Sequence, residues 1–318
     1  MPVGSLKLSS VVCAAVLSAG AVLLAGPQDQ PPDTESKHFA VRGASPEVDV
    51  GDPRLNKALS ALAKQASLFW EAAPNFTAHE AVTQKGVVRQ RRKVHFRQLE
   101  PPQDRTNLKE EEMASYYGFS TLSTASEALR EFREIISVGR KQLENPTAAR
   151  EKLERVLSSK DDAGKQALRK AFEKENLRGA AIDFGQLILL FIRSRLSEYS
   201  FALGKTAMLG KDAAQVVLFQ QTEGNGGIRV TEPGRKLRAP LHGELWVRRE
   251  DDLILRITLT VGRNDEDVEI RDEASVDYLP NPSGTILPAS VLYRRFLNDK
   301  LYFENTYRYS DWRAIGIR

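Results

Sequence analysis

Cysteine is almost absent from this chain, because Cys13 is the only one among its 318 residues. It lies in an apolar N-terminal stretch that is typical of a secretion leader. Removal of that leader would leave a protein without any thiol. The sequence therefore excludes disulfide bonds, thiol catalysis and cysteine-ligated metals in the mature protein. Its folded part must be stabilised by an ordinary apolar core.

Motifs that hold metals, nucleotides or catalytic nucleophiles are equally scarce. The four histidines are scattered without the spacing of a metal site. Gly204-Lys205-Thr206 resembles the end of a phosphate-binding loop, but Tyr199 stands where that loop needs a glycine. The Gly-x-Ser-x-Gly sequence of a nucleophile elbow is missing. We therefore assign no catalytic residue, no metal ligand and no cofactor.

The N-terminus has the organisation of a secretory signal peptide over residues 1–25. Lys7 is the only charged residue among the first 28, and an apolar run from Val11 to Ala25 follows it. The run is shorter than the roughly 20 apolar residues that span a bilayer. We predict cleavage near the end of this run and export to the periplasm. A retained N-terminal membrane anchor is the alternative.

The charge balance gives no support for nucleic acid as a partner. The formal net charge of +4 falls by one if Lys7 leaves with the leader. Nucleic-acid-binding domains usually carry a concentrated basic footprint on a strongly basic domain. We therefore predict that the protein does not bind nucleic acid.

The sharpest basic feature is a predicted strand over residues 89–97. Arg89, Arg91 and Lys93 alternate along it and would share one face. This face could dock acidic lipid headgroups at a membrane surface or an acidic partner protein. The alternative, which we favour, is a solvated strand face that protects an exposed sheet edge.

The chain divides into a leader, a linker and one folded domain. Residues 26–52 are rich in proline and polar residues, a composition typical of a disordered linker. Residues 53–318 suffice for one large domain. It opens with an amphipathic helix that Asp52-Pro53 would start and Pro74 would stop. A helical insert is predicted at about 146–192.

The last third of the sequence consists of successive predicted strands. Residues 253–261, for example, alternate apolar and polar side chains, the pattern of a half-buried antiparallel strand. Short turns between the strands favour antiparallel neighbours. We therefore predict an α+β fold with a large curved antiparallel β-sheet, an unclosed barrel, and helices packed on its concave face.

An apolar stretch within the insert, residues 187–192, is predicted to form a core helix. A curved sheet facing such a segment can enclose an apolar cavity. Phe184, Leu187, Leu190 and Phe191 are the candidates for contact with a ligand in that cavity. The alternative is a filled core, and the residues alone leave both open.

Short motifs along the domain occur in a characteristic order. They are Asn75-Phe76-Thr77-Ala78-His79-Glu80, Gly243-Glu244-Leu245-Trp246-Val247, Leu255-Arg256-Ile257, Val276-Asp277-Tyr278, Ile286-Leu287-Pro288 and Tyr307-Arg308-Tyr309-Ser310-Asp311-Trp312-Arg313. The order of these motifs resembles that of exported proteins common in acidobacteria. It is also similar to that of periplasmic lipoprotein carriers of the LolA/LolB type. The resemblance implies an unclosed LolA-like barrel whose helices form a lid over a lipid-binding cavity. It transfers no functional residue, and the insert is longer than in the small carriers.

Three functional hypotheses follow. The first is an exported non-enzymatic protein that binds a lipid, the acyl chain of a lipoprotein or another apolar ligand. The second is a periplasmic interaction or sensor module with a filled core, which docks a partner protein through Arg89, Arg91 and Lys93. An enzyme is the third, and it would need polar groups that converge in one pocket.

Overall fold

The computed structural model describes residues 15–16, 51–87, 108–122, 128–175, 184–222, 228–232, 235–265, 268–282 and 284–316. The helices are α1 (Pro53–Ala72), α2 (Pro146–Ser158) and α3 (Asp162–Glu175), with short 3₁₀ turns at Ala73–Asn75, Leu187–Phe191 and Arg193–Glu198. The strands are β1 (Ala15–Val16), β2 (Phe76–Val87), β3 (Leu108–Thr121), β4 (Leu129–Val138), β5 (Lys141–Gln142), β6 (Tyr199–Leu209), β7 (Asp212–Gln221), β8 (Ile228–Glu232), β9 (Arg235–Ala239), β10 (His242–Arg248), β11 (Ile254–Asp265), β12 (Val268–Pro280), β13 (Ile286–Leu297) and β14 (Lys300–Ala314).

Eleven of these strands form one antiparallel sheet. Their order is β5-β4-β3-β2-β14-β13-β12-β11-β10-β7-β6, so β5 and β6 are its two edges and the sheet is not closed. The predicted large open antiparallel sheet is confirmed. A small second sheet joins β1, from the predicted leader, to β8 and β9. The boundaries of the leader, the linker and the insert stay predictions.

Helix α1 covers one face of the large sheet, which we call the core face. Asp52 caps the helix by accepting a hydrogen bond from the Arg54 N–H at 2.8 Å, as the sequence predicts. Its apolar stripe buries Leu62 and Phe69 completely. The Phe69 ring meets the Phe119 ring of β3 edge-on at 5.3 Å. This stripe joins α1 to the main apolar core of the molecule.

Helix α2 packs on the opposite face of the sheet. The sequence predicted helices on the concave face, and this second position was not predicted. Gly118 and Phe132 lie there as neighbours on β3 and β4. A methyl group at Gly118 would lie 2.7 Å from Leu157 Cδ1, so glycine lets the helix approach closely. Phe132, Leu153 and Leu157 form a second, smaller core. Strand β4 is consequently buried on both faces from Leu129 to Ile136.

The start of α2 provides a test of its capping. Asn145 Oδ1 accepts hydrogen bonds from the N–H groups of Thr147 at 2.9 Å and Ala148 at 3.3 Å. We expect Asn145→Ala to lower the free energy of unfolding by about 1 kcal/mol, because these N–H groups lose their acceptor. Thr147→Ala, an exposed change in the same turn, is the control. Urea denaturation of both variants makes the comparison, and equal losses would contradict this role for Asn145.

The apolar segment of the insert, predicted as a core helix, is buried but forms only a short turn. Leu187–Phe191 is a 3₁₀ turn, and Ile192 is extended, with φ −60° and ψ 149°. The Leu189 N–H bonds to the Gln186 carbonyl three residues earlier at 2.9 Å. The Ile188 N–H instead donates to a tyrosine of the sheet. Contacts with the sheet thus replace the regular hydrogen bonds of an α-helix.

Candidate functional site

The four predicted ligand-contact residues lie in one segment on the core face. We call residues 184–191 the strap; they lie between α1 and the sheet. Phe184, Leu187, Leu190 and Phe191 are each at least 94% buried. The structure therefore brings all four candidates together, in contact with the protein's own core. Their role as ligand contacts stays a prediction.

The strap is anchored at its start by Gly185. Its N–H donates to Glu131 Oε1 of β4 at 2.6 Å. A methyl group at Gly185 would lie 2.5 Å from Tyr117 Oη of β3 and 3.3 Å from Pro288 Cγ of β13. Strands β3 and β13 are three positions apart in the sheet, about 14 Å if the sheet were flat. Both approach Gly185, so the sheet curves around the strap.

A second anchor shows the same curvature. The Ile188 N–H donates to Tyr278 Oη of β12 at 3.1 Å. Strands β4 and β12 are five positions apart, which corresponds to about 24 Å in a flat sheet. Three peptide units separate Gly185 from Ile188, and they span about 11 Å at most. The strap therefore lies on the inner side of the curve.

Aromatic contacts attach the two ends of the strap to distant strands. The Phe184 ring lies 5.0 Å from the Tyr293 ring of β13. The Phe191 ring lies 4.9 Å from Phe219 of β7 and 5.2 Å from Tyr199 of β6. Such pairs contribute about 0.5–1.5 kcal/mol each beyond their buried area. The apolar side chains of the strap thus fill part of the curve.

Beside the first anchor lies a buried group of charges, which we call the ion cluster: Glu80, Glu131 and Arg133. Arg133 Nε donates to both oxygens of Glu80, at 3.0 and 2.9 Å, and Nη2 donates to Glu131 Oε2 at 2.9 Å. Ser115 Oγ donates to Glu80 Oε2 at 2.6 Å. Burial alone would lower the pKa of Arg133, but the two carboxylates outweigh it and raise this pKa well above its usual value. The guanidinium is therefore always charged.

The Tyr117 hydroxyl is the unusual member of this neighbourhood. Tyr117 is completely buried, and its Oη has no hydrogen-bond partner among the described residues. Burial, helped by the charge of Glu131, raises the pKa of Tyr117 well above its usual value, so the hydroxyl keeps its proton. An unpaired buried hydroxyl costs about 1–3 kcal/mol. It is the clearest unsatisfied donor beside the strap.

Sequence reasoning missed the ion cluster and Tyr117. The only local signal is the i, i+2 spacing of Glu131 and Arg133, which places both side chains on one face of β4. A cavity of about 10 Å³, enough for roughly one water molecule, adjoins both residues. Its other lining residues are Arg169, Phe172 and Glu173. The Phe172 ring also lies 4.7 Å from the Arg133 guanidinium carbon.

The predicted docking residues Arg89, Arg91 and Lys93 lie outside the described residues. The basic-face hypothesis therefore stays a prediction. Within the described ranges, no group of three histidine, cysteine or acidic residues could hold a metal ion. In the same part of the chain, no helix is both long and apolar enough to cross a membrane.

Comparison with known proteins gives a likeness of structure but not of sequence. No protein-family model and no curated protein match the chain. A solved lipoprotein-sorting domain does match. This outer membrane lipoprotein-sorting protein domain from Vibrio parahaemolyticus has 8% identity and a TM-score of 0.35, over 83% of this chain and 94% of the other. A DUF1329 family protein from Desulfovibrio piger has 9% identity and a TM-score of 0.34, over the same shares.

The first likeness is to a domain of the class that the sequence motifs resemble, and both likenesses concern the arrangement of the chain only. At 8% and 9% identity and with such low TM-scores, neither neighbour supports an argument about a ligand.

Proposed function

We propose that this protein is an exported, non-enzymatic binding protein for an apolar ligand. The ligand, a lipid or the acyl chain of a lipoprotein, would lie inside the curve of the sheet in the place of the strap. The main observation in support of this proposal is the strap. It is an apolar segment with only a 3₁₀ turn of its own, held by two N–H bonds to side chains of the sheet.

The chemistry of the strap indicates what could replace it. Each of its large apolar side chains gains about 1.5–3 kcal/mol from burial, so the four candidates together contribute about 6–12 kcal/mol. A ligand that displaces the strap must gain a similar free energy from its own burial. At about 0.8 kcal/mol for each buried methylene, a chain of roughly 8–15 methylenes would suffice. A long acyl chain therefore matches the strap in both character and energy.

Replacement of the strap by a ligand can be tested at Gly185. Gly185→Ala would place a methyl group 2.5 Å from Tyr117 Oη and so push the strap away from the sheet. We expect this variant to bind a fluorescent fatty-acid probe about tenfold more tightly. The reason is that the strap would pack on the sheet less favourably by about 1.4 kcal/mol, which corresponds to a factor of ten in affinity. Fluorescence titration measures the affinity, and native mass spectrometry of protein purified from the periplasm detects a bound molecule.

A matched glycine provides the control for this experiment. A methyl group at Gly86 of β2 would meet Phe303 Cβ at 3.6 Å, an ordinary contact. Gly86→Ala should therefore bind the probe as the wild type does. Absence of probe binding to both the wild type and Gly185→Ala, together with no apolar molecule in the mass spectrum, would refute the proposed function.

A further inference from the structure

Four side chains of the edge strands β6 and β7 lie together beneath the last residue of the strap. Tyr199 of β6 is directly opposite Gln221 of β7, and Phe201 is directly opposite Phe219. The Phe191 ring of the strap packs on the three aromatic members of this group, at centroid distances of 4.9–6.3 Å. A ligand that took the place of the strap would therefore meet these rings and, beside them, the Gln221 amide.

Two members of this group are hydrogen-bond donors without an acceptor. Tyr199 and Gln221 are at least 93% buried, and the Tyr199 hydroxyl and Gln221 Nε2 have no partner among the described residues. The Leu241 N–H donates to Gln221 Oε1 at 3.4 Å, which orients the amide and leaves Nε2 as the unpaired group. Residues directly opposite each other have Cβ atoms about 4.5–5.5 Å apart, so the two donors border the same space.

This edge of the sheet offers donors without a net charge. Burial raises the pKa of Tyr199 to about 12, so its hydroxyl keeps the proton that it can donate. The charges that act on this hydroxyl are those of Arg195 and Glu198. They form one ion pair, in which two nitrogens of Arg195 donate to the two carboxylate oxygens at 3.1 Å each. The group that fits here is therefore an acceptor that needs no countercharge.

A carbonyl oxygen is such an acceptor, because its two lone pairs can accept two hydrogen bonds. We propose that the ligand is an acyl compound whose carbonyl oxygen accepts hydrogen bonds from the Tyr199 hydroxyl and from Gln221 Nε2. This inference rests on the proposed function, because the ligand takes the place of the strap. Its hydrocarbon chain then follows the path of the strap along the core face toward Gly185. An esterified lipid chain and a free fatty acid both carry the required oxygen.

The opposite end of the strap suits a carbonyl oxygen less well. Tyr117 offers a single hydroxyl there, and it lies beside the ion cluster, which holds two carboxylates and one guanidinium. The charge of Glu131 acts on this hydroxyl. A carbonyl oxygen carries partial negative charge, and the excess negative charge of the cluster would repel it. The polar end of the ligand therefore lies at β6 and β7.

The test measures the affinity of Tyr199→Phe for two fluorescent probes, the methyl ester of a dodecanoic acid with a terminal pyrene and a dodecane with the same pyrene. The variant removes a hydroxyl that has no partner in the described part of the chain, so it should fold as the wild type does. We expect it to bind the ester about tenfold more weakly, because one hydrogen bond is lost. Its affinity for the alkane should stay unchanged.

The alkane probe separates hydrogen bonding from packing. Unchanged affinity of Tyr199→Phe for the ester, or an equal loss for both probes, would overturn the inference while leaving the proposed function intact. If neither probe bound to the wild type, the proposed function itself would be refuted. Gln221→Met removes the second donor, and we expect the same loss for the ester alone. Fluorescence titration makes all of these measurements.

Tyr117→Phe tests the orientation of the ligand, because it removes the unpaired hydroxyl at the other end of the strap. We expect a smaller loss for the ester than in Tyr199→Phe. A loss in Tyr117→Phe with none in Tyr199→Phe would place the carbonyl at the wrong end and contradict the inference. The free pyrene-labelled acid distinguishes the two sources of the carbonyl. A loss in Tyr199→Phe for acid and ester alike supports both sources, and a loss for the ester alone supports an esterified chain.

Discussion

Arg133→Met should lower the free energy of unfolding by about 3–5 kcal/mol, because it leaves the carboxylates of Glu80 and Glu131 buried without their cation. The side chain of Arg133 is 2% exposed, and those of Glu80 and Glu131 are 0% and 1% exposed. Methionine keeps much of the volume of arginine. The loss in the free energy of unfolding therefore comes from the missing charge and not from a cavity. Urea denaturation measures the effect.

An exposed ion pair provides the reference for this change. Arg313 pairs with Asp311, and their side chains are 58% and 50% exposed. Arg313→Ala should change the free energy of unfolding by less than about 1 kcal/mol, since solvent already screens the pair. Similar losses for Arg133→Met and Arg313→Ala would show that the ion cluster does not stabilise the fold as its burial indicates.

Gly243→Ala is the second change for which we expect a large effect. Gly243 lies on β10 between β7 and β11, and a methyl group there would come within 2.0 Å of the Thr258 carbonyl oxygen. A backbone atom of a central strand cannot move aside as a side chain can. The two strands must therefore separate locally, and we expect a loss of about 3 kcal/mol or more in the free energy of unfolding.

A second glycine in the same sheet separates this steric effect from the general effect of alanine. Gly262 of β11 has nothing within 4 Å of its added methyl group. Gly262→Ala should be neutral or should stabilise the protein by up to about 1 kcal/mol, because it restricts the unfolded chain. A melting temperature lowered equally by both substitutions would contradict the explanation from close strand contact.

The sequence predicted those elements whose signal is local. Residues 255–261 alternate apolar and polar side chains, and Leu255, Ile257 and Leu259 are buried as this alternation requires. The Asp52-Pro53 start of α1 is likewise a local signal, because the cap bonds to an N–H only two residues away. The open antiparallel sheet follows from repeating such strands with short turns.

The site was only partly predictable. Phe184, Leu187, Leu190 and Phe191 were chosen for their apolar character, and the structure places them together on the core face. Their 3₁₀ turn was missed, because an apolar run of six residues has no periodicity that distinguishes one short helix type from another. The ion cluster was missed because Glu80 and Arg133 are 53 residues apart in the chain.

The sequence alone determined the large antiparallel sheet, because strand alternation and turn chemistry act between neighbouring residues. Only the tertiary structure decided the path of the strap and the environment of Tyr117. Atoms of β3, β4, β12 and β13 meet the strap because the sheet curves around it. The convergence of Glu131, Tyr117 and Gly185 thus depends on the packing of distant strands, which no short sequence pattern records.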